Sequence, residues 1–188
     1  MLYGAYKNLR NAAWQVLIDF EIRELPVSLR GICEKSGFKL IKDSSVHLLS
    51  PLQSGISVLD GDKWYIIYSN EQSLERIRFT IAHELGHIFL GHKIIAGYHA
   101  RTFDVSKPRA EQEADMFASR LLAPACVLWG LNLRTPNEIA DFCKISLSAA
   151  YIRAERMHEL YKRDKFLTLP LERRVYKNFE EFIQKNRH

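Results

Sequence analysis

Leu74-Glu-Arg-Ile-Arg-Phe-Thr-Ile-Ala-His-Glu-Leu-Gly-His-Ile-Phe-Leu-Gly91 is the stretch on which the reading of this chain turns. Its apolar positions Leu74, Ile77, Ile81, Leu85, Ile88 and Phe89 keep a 3.6-residue period, which predicts an amphipathic helix. Asn70 through Ser73 offer caps at its start, and Gly91 suits its end. His83 and His87 are four apart, just over one turn, so both imidazoles leave the same face and can share one metal ion. Glu84 follows the first histidine directly. In a His-Glu-x-x-His arrangement that glutamate is not a ligand but the base that takes a proton from the water attacking a carbonyl. Gly86 runs against helix propensity by about 1 kcal/mol relative to alanine. Its place is therefore read as one of close packing or substrate approach.

A tetrahedral zinc site needs a third protein ligand. None of His47, His92, His99, His158 and His188 completes a longer histidine motif, because position 93 is Lys93. The better source is a second predicted helix, Arg109-Ala-Glu-Gln-Glu-Ala-Asp-Met-Phe-Ala-Ser-Arg-Leu-Leu122, which Pro124 stops. Glu111 and Asp115 share one face of it. One carboxylate can bind the metal while the other accepts a hydrogen bond from a ligand histidine and fixes its tautomer. Glu113 points roughly 200° away from Glu111 and is expected to face solvent, which favours Glu111 as the third ligand.

Around these helices the pattern is mixed. Helices are expected over 5–22 and 29–36, the second capped by Ser28 and ended by Gly37. A short strand follows at 38–41. Residues 55–59 and 63–69 flank Asp60-Gly61-Asp62 and read as a hairpin, with Trp64-Tyr-Ile-Ile-Tyr68 the better-buried strand. One edge of this sheet, at 55–59, is expected to line the cleft. Residues 136–144 and 147–161 read as a helical pair with helix-turn-helix rhythm, and 171–185 as a last helix. The fold class is α+β: a small sheet with a hairpin packed on the His83 helix and the Glu111 helix, then a C-terminal helical extension. The domain division is 1–130 for the metal-bearing domain and 131–188 for the extension.

The bulk numbers exclude more than they choose. The chain has 188 residues, 47% hydrophobic and 26% charged, with a formal charge of +5. That is the composition of a folded, mildly basic protein, not a disordered or collagen-like one. The three cysteines, Cys33, Cys126 and Cys143, form no CxxC pair and are expected to be core residues. No apolar run reaches membrane-spanning length and the first residues do not resemble a signal peptide, so the expected compartment is the cytoplasm, without a membrane partner.

The string from Arg76 to His87, followed by Glu111-x-Glu-Ala-Asp-x-Phe-Ala118 and Leu121-Leu-Ala-Pro124, resembles the ImmA/IrrE family of metallopeptidases. The first helix, the Leu25-Pro26 break and Gly55-Ile56-Ser57 before the hairpin look like that family too, and the similarity spans about 5–165. The resemblance implies a gluzincin-like zinc peptidase with a minimal thermolysin-like core. His83, His87 and Glu111 would be the Zn2+ ligands and Glu84 the base. Asp115 falls where the family has Asn or Asp, and Ala123 where it often has Met. The implied substrate is a protein, a helix-turn-helix repressor of a prophage, mobile element or stress locus. Two other readings remain: a non-catalytic zinc-containing binding module or anti-repressor, and a DNA-binding regulator. The second helix of the pair offers few groups for base edges, so nucleic acid is not the expected partner. In 147–161 and just beyond, Ala149, Ala150, Ile152 and Leu160 are expected to pack, while Arg153, Arg156, Lys162 and Arg163 are spread among Glu155, Glu159 and Asp164, a mixed pattern that suits docking on a charged protein surface. Tyr68, His92, Tyr98 and His99 are chemically able to stabilise an oxyanion.

Overall fold

The computed structural model describes residues 3–92 and 108–187. Contacts divide the chain into two compact units, one of residues 29–118 and the other of residues up to 28 together with those from 119 onward. The helix that opens the chain therefore groups with the C-terminal helices, a grouping by contact and not by function.

The unit of residues 29–118 holds α2 (Leu29–Ser36), β1 (Lys39–Lys42), β2 (Gly55–Asp60), β3 (Lys63–Tyr68) and α3 (Leu74–Leu90), with most of α4 (Arg109–Leu122). The sheet has the order β1-β3-β2, with β1 parallel and β2 antiparallel to β3. Successive side chains on a strand point to opposite faces. Ile66 and Ile67 of β3 are both buried, so the central strand is covered on both faces, as its unbroken apolar run requires. The hairpin turns at Gly61, whose φ of 61° a glycine adopts without a Cβ penalty. β2 lies at the edge of the sheet, and α3 packs on β2 and β3.

α3 is framed as its sequence predicts. The Ser73 side chain accepts from the Arg76 N–H, and Gly91 ends the helix in the left-handed region at φ 68°. From Thr80 to Gly86 every residue is buried, so the middle of the helix is enclosed all round rather than along one stripe. Phe89 packs between Phe38 and Phe117, with ring centroids 5.9 and 6.2 Å away.

The other unit is helical: α1 (Tyr3–Asp19), the last residues of α4, α5 (Ala125–Gly130), α6 (Pro136–Cys143), α7 (Leu147–Lys162), α8 (Pro170–Asn178) and α9 (Glu180–Asn186). Trp14, Leu17, Leu121, Leu128, Leu131 and Phe179 are fully buried in it. Three expectations are corrected here. α5 was not foreseen; Pro124 starts it instead of merely ending α4. The last helix is two, because Phe179 leaves helical geometry at ψ 4° while its side chain is completely buried. The inward face of α7 is Ala150, Arg153 and Met157, at i, i+3 and i+7, while Tyr151 and Ile152 are exposed. Arg153 is thus an interior residue, not part of a docking surface. α6 begins with a complete capping box between Thr135 and Glu138.

All three cysteines are buried and unbonded. Burial, reinforced by Glu34, pushes the Cys33 thiol up to about 12, and burial raises Cys126 as well. Thiolate is the reactive form, so the native protein is expected to resist a thiol reagent at pH 8 and to expose all three thiols in denaturant. Rapid colour from Ellman's reagent in native buffer would show that this packing is wrong.

Candidate metal centre

Two helices build the site. α3 supplies His83, Glu84 and His87, and α4 supplies Glu111, Glu113 and Asp115, all within the unit of residues 29–118. What lets the helices meet is Gly86. A Cβ there would stand 3.2 Å from the Ala114 Cα, 3.3 Å from the Ala114 carbonyl oxygen and 3.2 Å from the Phe117 ring. Two of those neighbours are backbone atoms of α4, so Gly86 serves close helix packing, the first of its two expected roles. The helix propensity it gives up is the cost of that approach.

The approach places three donor atoms together. His83 Nε2 and His87 Nε2 are 3.0 Å apart. Glu111 reaches both, with Oε2 3.2 Å from His83 Nε2 and Oε1 3.2 Å from His87 Nε2. Ligands 2.0–2.1 Å from a tetrahedral zinc would lie about 3.3 Å from one another. The observed spacings are therefore those of a zinc donor set to within a few tenths of an ångström. Among the described residues, His83, His87 and Glu111 form a group able to hold a metal ion.

The outer nitrogens of both histidines are also engaged. His83 Nδ1 lies 2.8 Å from Asp115 Oδ1. His87 Nδ1 lies 3.1 Å from His92 Nδ1, and His92 Nε2 lies 3.1 Å from Glu113 Oε2. Arg109 Nε then donates to Glu113 Oε1 at 2.7 Å. If Nε2 of each histidine is left free to face a metal ion, one consistent set of protons runs through both chains. His83 Nδ1–H donates to Asp115, His87 Nδ1–H donates to His92, and His92 Nε2–H donates to Glu113.

This second chain corrects one expectation. Glu113 does not face solvent. It is largely enclosed, with its oxygens taken by His92 and Arg109. The arithmetic of 3.6 residues per turn gave its angle on α4 but not that His92, one residue beyond α3, folds back to meet it. His92 has both ring nitrogens in use; Tyr98 and His99 lie outside the described residues.

The electrostatics suit a cation. Burial disfavours a charged His83, but its hydrogen bonds to Asp115 and Glu111 outweigh it and push the imidazole up to about 9. Burial would raise Glu111, yet its bonds to His83 and His87 hold it far below the usual carboxylate range. Burial likewise lowers His92 against the pull of Glu113. Glu84 is buried next to His83, and its Cγ would lie 3.7 Å from a Cβ at Gly55. The first residue of β2 therefore abuts the proposed base. A side chain there would also meet Thr80 Cγ2 at 2.4 Å and the Ile67 carbonyl oxygen at 3.1 Å.

The sequence profile of the M78 peptidases, described as an IrrE N-terminal-like domain, matches residues 37–155, well over half of the chain. The chain belongs to this peptidase family. The match covers the sheet, α3 and α4 together, so the family likeness and the donor cluster fall on the same residues. No individually curated protein is similar enough to be matched. Membership carries a metallopeptidase type of activity and a protein substrate. No helix among the described residues is long and apolar enough to cross a membrane.

Gly86→Ala tests the helix approach. Over-packing typically costs about 1–3 kcal/mol, and the gain in helix propensity of about 1 kcal/mol offsets only part of it. A lower urea midpoint at unchanged slope is expected. A midpoint at or above wild type would mean that α3 and α4 have room to spare.

Proposed function

We propose that this chain is a zinc-dependent endopeptidase that cuts a helix-turn-helix repressor, with His83, His87 and Glu111 as ligands and Glu84 as general base. The observation that carries the reading is the triangle of donor atoms 3.0–3.2 Å on a side, with a buried glutamate following its first histidine. Two imidazoles and one carboxylate, without sulfur, form the donor set of a catalytic zinc site that keeps an open position. Zinc held there supplies Lewis-acid polarisation of the carbonyl and a hydroxide nucleophile at neutral pH.

This chain's own residues do the rest. Asp115 and His92 hold the two imidazoles in the tautomer and orientation that ligation needs. Glu84 takes the proton of the attacking water and delivers it to the leaving amine. The substrate enters as an extended strand along β2, whose far side pairs with no strand among the described residues. Gly55 brings that strand against Glu84, so a peptide paired to it runs past the base. The exposed Leu59 on the same strand offers side-chain contact.

By function, residues 1–130 serve as the peptidase and 131–188 as the part that engages the substrate. The apolar, exposed start of α7, with Leu147, Tyr151 and Ile152, supports docking on protein. It lacks the basic and amide groups a base reader needs, which disfavours a DNA regulator. The family's link with prophage and stress repressors suggests the substrate class and an action in the cytoplasm. A binding module that never cuts has no need of a buried Glu84.

Metal analysis separates the two glutamates. Wild-type protein should hold about one zinc per chain, and Glu111→Gln should lose it. Glu113→Gln should keep it with affinity lowered about 10–100-fold, as expected when a ligand's outer partner is removed. Loss of zinc from the Glu113 variant alone would exchange their roles.

Activity isolates the base. Glu84→Gln should retain zinc and lose cleavage of a helix-turn-helix repressor that wild type cuts, by at least about 100-fold. Cleavage at the wild-type rate would remove Glu84 from the mechanism. A repressor bound but never cut by wild type would favour the holder reading.

A further inference from the structure

The place where β2 meets α3 carries a buried side chain to which the peptidase chemistry assigns no task, Thr80. It lies one turn before Glu84 on α3 and is 1% exposed. Successive side chains on a strand point to opposite faces, so Gly55, Ser57 and Leu59 of β2 share one face. A Cβ at Gly55 would point at Thr80 Cγ2 and Glu84 Cγ, so this is the face that α3 covers.

The register of the sheet shows why the helix can come so near. Residues directly opposite one another on paired strands share a face. Gly55 stands opposite Tyr68, and Ser57 opposite Ile66. Toward α3, the edge strand thus presents its two smallest residues where the central strand presents two large ones. α3 settles closer to the edge than larger side chains there would allow, and that edge is where a substrate strand would pair.

The Thr80 side chain is also fixed in direction. Its hydroxyl donates to the Arg76 carbonyl oxygen at 2.8 Å, which holds a stiff, β-branched side chain in one rotamer. Its methyl is thereby pinned where a side chain on residue 55 would have to go. The Ile67 carbonyl oxygen of the central strand closes the space from another side, 3.1 Å from the same point. To reach ordinary carbon contact, a Cβ at residue 55 would have to part the strand from the methyl by roughly 1 Å. Glycine in a strand marks such a close approach.

We propose that Thr80 and Gly55 are positioning residues of the peptidase reaction: the Thr80 methyl, resting on the bare Gly55 backbone, sets how far the substrate-binding edge of β2 stands from Glu84. This role rests on the zinc-peptidase reading. A peptide paired to β2 lies about 4.7–4.9 Å beyond it, so a displacement of the strand carries the scissile carbonyl with it. An error of about 1 Å in placing reacting groups costs on the order of 100-fold in rate. The main-chain bonds between peptide and strand move together, so the loss falls on kcat and not on KM.

Gly55→Ala and Thr80→Ser, alone and combined, test the role, because the pair together shifts one methyl group from helix to strand at constant volume. Each protein is loaded with zinc. Cleavage of a helix-turn-helix repressor that wild type cuts is then followed well below the thermal midpoint of every variant. Gly55→Ala should keep its zinc and its KM and lose about 100-fold in kcat. Thr80→Ser keeps the hydroxyl but loses the spacer, and should cut several-fold more slowly. The double variant should be faster than either single one and within about threefold of wild type, as compensation between contacting residues requires. A merely structural role would lower thermal midpoints and leave kcat of the folded, zinc-loaded protein unchanged, and that result would overturn the proposal. So would a double variant no faster than Thr80→Ser, a comparison that stands even if Gly55→Ala alone does not fold. A wild type that cuts no repressor would bring down the peptidase reading itself.

Discussion

Everything at the metal centre depends on how closely α3 and α4 approach at Gly86. The two helices come so close there that the Ala114 Cα lies only 3.2 Å from where a Cβ on Gly86 would stand. That contact sets the distance across which Glu111 reaches two imidazoles and Asp115 reaches one. It also explains why the middle of α3 is enclosed on every side. A helix packed against a sheet on one flank and a second helix on the other has no solvent face to give up. Its polar residues there must be satisfied by each other or by a ligand.

The centre is thus two layers deep. Inside are three donor atoms; outside are a carboxylate for one histidine and an imidazole–carboxylate–guanidinium chain for the other. The two arms differ in reach. The His83 arm meets a carboxylate, Asp115, directly, whereas the His87 arm meets a second imidazole, His92, and runs on through Glu113 to the exposed Arg109. The two imidazoles therefore have outer partners of different chemistry.

Much of this was legible in the residues. The period of 74–91, the caps at Ser73 and Gly91, and the Asp-Gly turn each fix local structure through short-range sterics, and each element lies within a residue or two of its expected place. The shared face of Glu111 and Asp115 is also local geometry. What escaped the sequence was long-range or compensated. His92 meeting Glu113 needs the path of the chain after α3. The break at Phe179 needs a cavity for its ring. The inward turn of Arg153 contradicts the usual preference of arginine for solvent, so residue type alone pointed the wrong way. α5 is short and apolar throughout, so no amphipathic period announces it.

The cysteines acquire meaning from where they are not. Zinc centres that recruit thiolates can be opened by oxidants, since sulfur is the one common ligand atom that changes oxidation state readily. Here the donor cluster is nitrogen and oxygen only, all three sulfhydryls are interior, and burial raises the thiols of Cys33 and Cys126. Among the described residues the candidate centre therefore offers an oxidant no sulfur ligand to attack.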